Sequence, residues 1–425
     1  LYTDADTLVT VGAMTADFGV DTTPGSANVV EEYAGRVFYA GFSGEVVDGD
    51  DNSPSLNNYV AFSQLVTDKT KAALCYQAAD PTAKEDNTIV ATDGGLIRIS
   101  GAADIVGLKS VGASILVFAN NGVWQILGGS DFGFSAENYQ VVKVSERGCI
   151  SAKSIVEVDG SVFYWSDDGI YIAEGSESGF FVAKDLTRAN IKSFYDNITY
   201  KGDAFGLYDK VDKSLRWVYR TSTNTQELIL KVDFGAWTVN SISTSAVVRG
   251  AVLSQKDNTV KYIAFTAAPN KLILAEYNDV NFKDWVTEGS GVDAPAHMLG
   301  AHFTGGDGSK SKQSPYVTFH MLKTETGFDV DYNVVGSSSC LVQTSWDWSN
   351  HTNSGKQGRE FQAYRFRRHY IPEDDTDGFD NGYETVVTKN KVRGRGKALS
   401  VSIKTEPLLD CKLIGWEQEM TINKD

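Results

Sequence analysis

Lys389, Lys391, Arg393, Arg395 and Lys397 place five positive charges within nine residues. They suit contact with an acidic partner surface; the alternative is a solvated loop, and composition alone does not choose. The segment is not a phosphate loop, because its glycines lack the required spacing and no Ser or Thr follows Lys397. Upstream, Arg365 and Arg367 alternate with Phe366 and Arg368 in strand period. Such a face can stack bases, but cross-strand pairing with carboxylates or a protein interface is the stronger expectation for so acidic a chain. Trp346 and Trp348 are spaced to share one strand face, as a sugar platform or an interface anchor.

Other chemistries find less support. No G-x-S-x-G nucleophile turn occurs. The chain has 55 acidic residues, so carboxylate pairs for glycoside hydrolysis are available, but abundance does not select a pair. Ser166, Asp167 and Asp168 begin like a sialidase Asp-box, yet Gly169 follows directly and no Trp closes it, which suits a hairpin turn better. Residues 48–54 lack the turn glycine and closing Glu of a calcium-binding EF-hand loop. The acidic loop 374–381 has oxygen ligands enough for a loose calcium site, with a hydrated loop as the plainer reading. The five histidines form no H-E-x-x-H and no i, i+4 pair. Cys75, Cys149, Cys340 and Cys411 are widely spaced, without CxxC, and read as buried thiols with a packing role in a reducing compartment. No cofactor is expected.

Residues of these types need strands to position them. The 425 residues are 42% hydrophobic and 11% aromatic, ample for a packed core. They fall into short runs of Val, Ile, Phe, Tyr and Trp closed by Gly, Asp or Asn. Residues 114–119, an Asn-Gly turn at 120–122 and residues 123–127 form a hairpin whose turn is expected to use positive φ. The unit recurs at 161–165, 167–169 and 170–173. Looser versions lie at 36–41 with 59–63, at 204–208 with 215–219 and 227–232, and at 260–265 with 271–277. Four-stranded units at this spacing predict an all-β chain with a β-propeller body; antiparallel sandwiches use the same strand grammar.

The expected organisation is an N-terminal strand or arm (1–32) packing on the body, a propeller (33–286), a β-rich docking or tip module (287–390) and closing strands that return to the body (391–425). Residues 305–312 read as a flexible insert, and 63–79 as at most a short helix. Strands are expected at 316–322, 328–335, 341–348, 361–370 and 398–403. No run of about 18 apolar residues occurs, so no membrane-spanning segment is expected. A net charge of −16 argues against a protein that grips DNA through its phosphates.

Several stretches, in order, resemble the tail nozzle proteins of short-tailed bacteriophages, also called tail tubular protein B or tail hub proteins. Arg36 to Gly41 and a strand ending at Ser63 are similar to the opening motif of that family. Gly122 and Trp124 fall in a segment similar to its central hairpin. Gly148 and Cys149, then Gly169, resemble the following blade. Arg393, Gly394 and Gly396, with Gly415 and Trp416, resemble its closing Arg-Gly-x-Gly and Gly-Trp-Glu elements.

The resemblance implies a propeller body in a six-fold homo-oligomeric ring below the portal and its adaptor, in the tail of a virion. It implies docking of tail fibres or spikes and transient passage of double-stranded DNA through a channel. An acidic wall fits a channel that must pass DNA without holding it. On this reading the chain has no catalytic residues. Its contacts would use Trp346, Trp348, Arg365, Arg367 and the 389–397 cations. The alternative is a carbohydrate-active propeller, a glycoside hydrolase or a lectin-like adhesin.

Overall fold

The computed structural model describes residues 27–42, 56–77, 89–129, 133–242, 246–254, 256–266, 271–276, 283–284, 292–293, 295–322, 327–328, 334–335, 340–349, 351, 355–363, 385–407 and 411–422. The chain divides into two compact units, Leu1–Tyr277 and Asn278–Asp425. Both are built from antiparallel sheets.

In the first unit each sheet is a meander in chain order. The first holds β1 (Val29–Tyr33), β2 (Arg36–Ala40), β3 (Tyr59–Phe62) and β4 (Gly95–Arg98). The second holds β5 (Ile105–Val111), β6 (Ser114–Ala119), β7 (Gly122–Gly128) and β8 (Tyr139–Ser145). The third holds β9 (Val156–Val158), β10 (Ser161–Trp165), β11 (Ile170–Gly175) and β12 (Phe181–Asp185). After the helix α1 (Lys192–Asp196) come β13 (Tyr200–Asp209), β14 (Ser214–Arg220), β15 (Thr225–Lys231) and β16 (Ala236–Ile242). The last sheet described has three strands, β17 (Ala246–Leu253), β18 (Val260–Thr266) and β19 (Lys271–Glu276).

The first strands of neighbouring sheets pack together, β1 with β5, β9 with β13 and β13 with β17. Each sheet is thus a blade, and the unit is a β-propeller body. The side chains show why. In β6, Ile115 and Val117 enter a core shared with the first blade, while Leu116 and Phe118 enter one shared with the third. In β10, Val162 and Tyr164 face the second blade and Phe163 and Trp165 the fourth. A blade's middle strand therefore buries both parities and reads as an unbroken apolar run. Each large side chain so buried contributes about 1.5–3 kcal/mol.

The second unit holds β20 (Lys283–Asp284), β21 (Val292–Asp293), β22 (His297–Leu299), β23 (Lys312–Gln313), β24 (Tyr316–Leu322), β25 (Gly327–Phe328), β26 (Val334–Val335), β27 (Cys340–Trp346), β28 (Phe361–Gln362), β29 (Thr385–Lys391), β30 (Leu399–Thr405), β31 (Leu413–Gln418) and β32 (Thr421–Ile422). One sheet has the order β22-β30-β27-β28, another β29-β24-β31. Their apolar faces form one core: Val317, Phe319 and Met321 of β24 pack with Val342 of β27 and with Val401 and Ile403 of β30. This is a sandwich.

Several expectations are corrected. Residues 391–425 belong to the second unit, where β30 pairs with β22 and β27, and β31 with β24, because their alternating apolar residues complete the sandwich. The segment 328–335 is not one strand; Phe328 pairs with Val334 as the arms of a small hairpin. Consistent with at most a short helix at 63–79, the described residues there hold a 3-10 turn, Lys71–Ala73; among the described residues an α-helix lies at Lys192–Asp196. Asn120, Asn121 and Gly122 do not adopt positive φ. Glycine at 122 answers close packing instead: a Cβ there would lie 2.9 Å from the Ser145 carbonyl oxygen. Residues 305–312 are ordered around the buried Lys312, whose ammonium donates to the carbonyls of Asp307, Lys310 and Lys397. Residues 1–26, and the strand expected beyond Ala363, lie outside the described residues.

Candidate functional site

Within the first unit the first strands of several blades line an open cleft of about 720 Å³. Val29 of β1, Ile105 of β5, Phe205 of β13 and Val248 of β17 line it, with residues 150–153 from the start of the third blade. Polar groups come from the same places. Asp104 accepts hydrogen bonds from Asn57 Nδ2 at 2.8 Å and Asn120 Nδ2 at 3.3 Å. Asp203 pairs with Arg220 at 3.0 Å, and the Arg220 guanidinium lies over the Tyr200 ring at 4.3 Å. Tyr219, beside Arg220, donates its hydroxyl to Gln226 Oε1 at 2.7 Å, and burial pushes that phenol upward in pKa.

A concave site with a few convergent polar groups is the default place for a small ligand. Sequence reasoning did not find these residues. The signal was a polar residue just before or within the first strand of the first, second and fourth blades, Asn28, Asp104 and Asp203, and it is legible only once the blades are delimited.

The motif residues of the body hold the blades together. Arg36 is 2% exposed and donates to the carbonyls of Ser63 at 2.6 Å, Asp93 at 2.5 Å and Ala91. Its guanidinium lies 5.5 Å from the Phe62 ring centre and 5.9 Å from that of Phe134. Burial lowers its pKa, opposed by Asp93. Ser63 Oγ accepts from the Val37 N–H at 3.0 Å and donates to the Gln64 carbonyl. Gly41 sits at φ 74°. A Cβ on Gly148 would lie 2.1 Å from the Asn120 carbonyl oxygen, and one on Gly169 would lie 2.7 Å from Thr187 Oγ1. Trp124 is buried, with the Lys143 ammonium 5.2 Å from its ring. Cys149 is buried and its thiol is pushed up to about 12 by that burial.

In the second unit the two tryptophans do not share a face. Trp346 is fully buried, so it is not an exposed interface anchor; its indole N–H donates to the Arg393 carbonyl at 3.1 Å. The strand stops there because Asp347 and Trp348 take φ values of 53° and 59°, which turn Trp348 outward. Trp348 is 65% exposed and stacks on His302 at 4.9 Å.

The Arg-Gly-x-Gly segment closes on this turn. Gly394 at φ 95° would place a Cβ 2.9 Å from the Gly355 carbonyl oxygen, and one on Gly396 would lie 2.7 Å from Asp347 Oδ1. Asp347 accepts from the Lys397 and Ala398 N–H groups at 2.5 and 3.2 Å and pairs with Lys356 at 2.6 Å. Arg393, Arg395 and Lys397 are exposed around this knot. Lys389 and Lys391 lie on β29, where the Lys389 ammonium sits 4.5 Å from the centre of the Tyr316 ring. Gly415 and Trp416 lie on β31, where the register with β24 shifts past His320; Trp416 packs against the core. Arg365, Arg367 and the 374–381 loop lie outside the described residues.

Among the described residues no group of three or more His, Cys, Asp or Glu is placed to hold a metal ion. His297 shares a 2.9 Å hydrogen bond with Ser402 and His320 lies 3.4 Å from Glu417. Among the described residues no helix is long and apolar enough to cross a membrane.

No family model and no curated protein matches the chain. Among solved structures it is similar to an exo-β-1,3-galactanase from Phanerochaete chrysosporium with galactose, at 10% identity over 97% of this chain and 99% of that one, with a TM-score of 0.29. It is also similar to a glycoside hydrolase family 43 arabinoxylan arabinofuranohydrolase from Bacillus subtilis in complex with cellotetraose. There the identity is 9% over 96% and 99% of the two chains, with a TM-score of 0.26. An engineered family 43 glycoside hydrolase gives 9% identity over 92% and 97%, also with a TM-score of 0.26. The expectation that the chain has no catalytic residues is corrected by this finding: these similar solved structures are enzymes. At these scores the likeness assigns neither an activity nor a substrate.

Proposed function

We propose that the chain is a structural subunit of a short-tailed bacteriophage tail, forming a ring that continues the DNA channel below the portal adaptor and supports fibres or spikes. The observation that carries this reading is the ordered series of nozzle-like motifs from Arg36 to Trp416. Arg36, Gly148 and Gly169 are packing residues of successive blades, and Gly394 and Gly396 shape the knot of the second unit. Hairpin grammar alone does not require these residues in this order. The net charge of −16 supports a wall that repels passing DNA. A ring of six copies, assembled in the bacterial cytoplasm and carried in the virion, follows from the resemblance.

The test is immunogold electron microscopy of particles from the source, with image averaging. Label confined to a short tail with six-fold averages supports the proposal; unlabelled particles alongside free monomer overturn it.

The open cleft favours a second reading, a carbohydrate-active propeller. Asp104 and Asp203 stand on different blades, and Tyr219 and Arg220 supply an aromatic and a cationic wall. Glycan-array binding or glycan hydrolysis that is lost in both Asp104→Asn and Asp203→Asn favours this reading. Activity unchanged in both variants removes it.

A further inference from the structure

Cys340 and Cys411 lie seventy-one residues apart in the chain, yet meet in the core of the second unit. Cys340 opens β27 in one sheet and is fully buried. Cys411 is half-buried and stands two residues before β31 of the facing sheet, held in place by the hydrogen bond from the Leu322 N–H to the Lys412 carbonyl at 2.8 Å. The Cys411 side chain packs against the core cluster that contains Cys340, and its proximity, with burial, raises the Cys340 thiol above its ordinary pKa. Cys75 and Cys149 differ: each lies in a separate cluster of the first unit with no second cysteine in it.

We propose that Cys340 and Cys411 are a redox-active pair that oxidises to a disulfide joining the two sheets of the sandwich. This inference does not depend on the function proposed above. Thiolate character and access decide which sulfur reacts first. Cys340 is buried and Cys411 is half-exposed, so the accessible Cys411 attacks first; the neighbouring Cys411 and burial both raise the Cys340 thiol. The oxidant is a low-molecular-weight disulfide such as oxidised glutathione. Cys411 attacks one of its sulfurs, forming a mixed disulfide and releasing one glutathione. Cys340 then attacks the Cys411 sulfur, closing the protein disulfide and releasing the second glutathione. The two protons given up by the cysteines pass to the two released thiols; the protein pair is oxidised and the reagent reduced.

Closing a loop this long restricts the unfolded chain strongly, so the bridge stabilises the second unit. Reduced during synthesis in a reducing compartment, the pair would close when the protein enters an oxidising one.

The test uses the full chain, equilibrated natively with oxidised glutathione, quenched with acid, alkylated and mapped without reduction. The expected result is a cross-linked peptide pair containing Cys340 and Cys411, with Cys75 and Cys149 alkylated only after denaturation. Thermal unfolding of the second unit shifts upward by about 5–10 °C, and dithiothreitol reverses the shift. Cys411→Ser and Cys340→Ala each abolish the shift; alanine at 340 keeps the core apolar, so folding is retained. Recovery of both cysteines as separately alkylated thiols overturns the proposal, as does a stable glutathione adduct on Cys411 without the cross-link.

Discussion

The backbone N–H of Lys397 donates to Oδ1 of Asp347 at 2.5 Å across fifty residues of chain. That one contact ties the end of β27 to the entry of β30 and sets where the exposed cations 393–397 stand. Burial alone would raise the Asp347 carboxyl, but hydrogen bonds from Lys356 and from the Lys397 and Ala398 backbone outweigh it and hold the carboxyl below its ordinary value of 3.8.

Replacing Asp347 by Ala leaves two backbone donors and the Lys356 ammonium without their acceptor, at a cost of about 1–3 kcal/mol to the second unit. Because the folded carboxyl is depressed, its contribution is complete above the ordinary carboxylate value and is lost as pH falls through the folded one. Urea unfolding of the wild type and Asp347→Ala, followed from pH 7 to pH 2, is expected to show a gap that narrows below about pH 4. A constant gap would place the effect in packing.

Arg36→Met keeps much of the stem and removes a guanidinium that serves carbonyls from Ser63, Ala91 and Asp93. These buried acceptors lose their donors, and destabilisation of about 3 kcal/mol is expected in a chemical denaturation series. Arg36→Lys should recover only part, because one ammonium cannot span the same carbonyls in a planar fork.

Gly148 and Gly112 separate two uses of glycine. A Cβ at Gly148 would lie 2.1 Å from the Asn120 carbonyl oxygen, so Gly148→Ala is expected to give insoluble or grossly destabilised protein. Gly112, at φ 57° in a turn with open space around it, should lose only about 1 kcal/mol as Gly112→Ala. Soluble yield and midpoint of thermal unfolding compare the two.

Arg216 is 2% exposed and pairs with Asp209 at 3.2 Å and with Glu227 at 3.5 Å, while Tyr262 of the next blade donates its hydroxyl to Glu227 at 2.7 Å. Glu227→Ala takes one carboxylate from Arg216, which keeps Asp209 and Asp212, and leaves the Tyr262 hydroxyl without that acceptor, so it should cost about 1–3 kcal/mol. Tyr262→Phe removes one hydrogen bond to a charged group and should cost about 1.5–3 kcal/mol. A double-mutant cycle read by urea unfolding is expected to show coupling; additivity would mean that the inter-blade contact is energetically idle.

The blades were legible in the sequence because strand pairing between chain neighbours is local. Residues 114–119 and 161–165 are apolar at both parities, and that alone demands two buried faces per strand. In the second unit the same local logic placed strands such as 316–322 but not the turn that ends β27. Trp346 and Trp348 read as one face until the positive φ at Asp347 reversed the chain between them.

What the amino-acid sequence determined by itself was the repeating strand-and-turn unit and the acidic balance, both properties of short windows or of sums. Tertiary structure alone decided that Asp104 and Asp203 share one cleft, that Cys340 meets Cys411 and that Asp347 receives Lys397. Those pairs lie tens of residues apart, and their meeting depends on how whole sheets close on one another, a choice that no local period encodes.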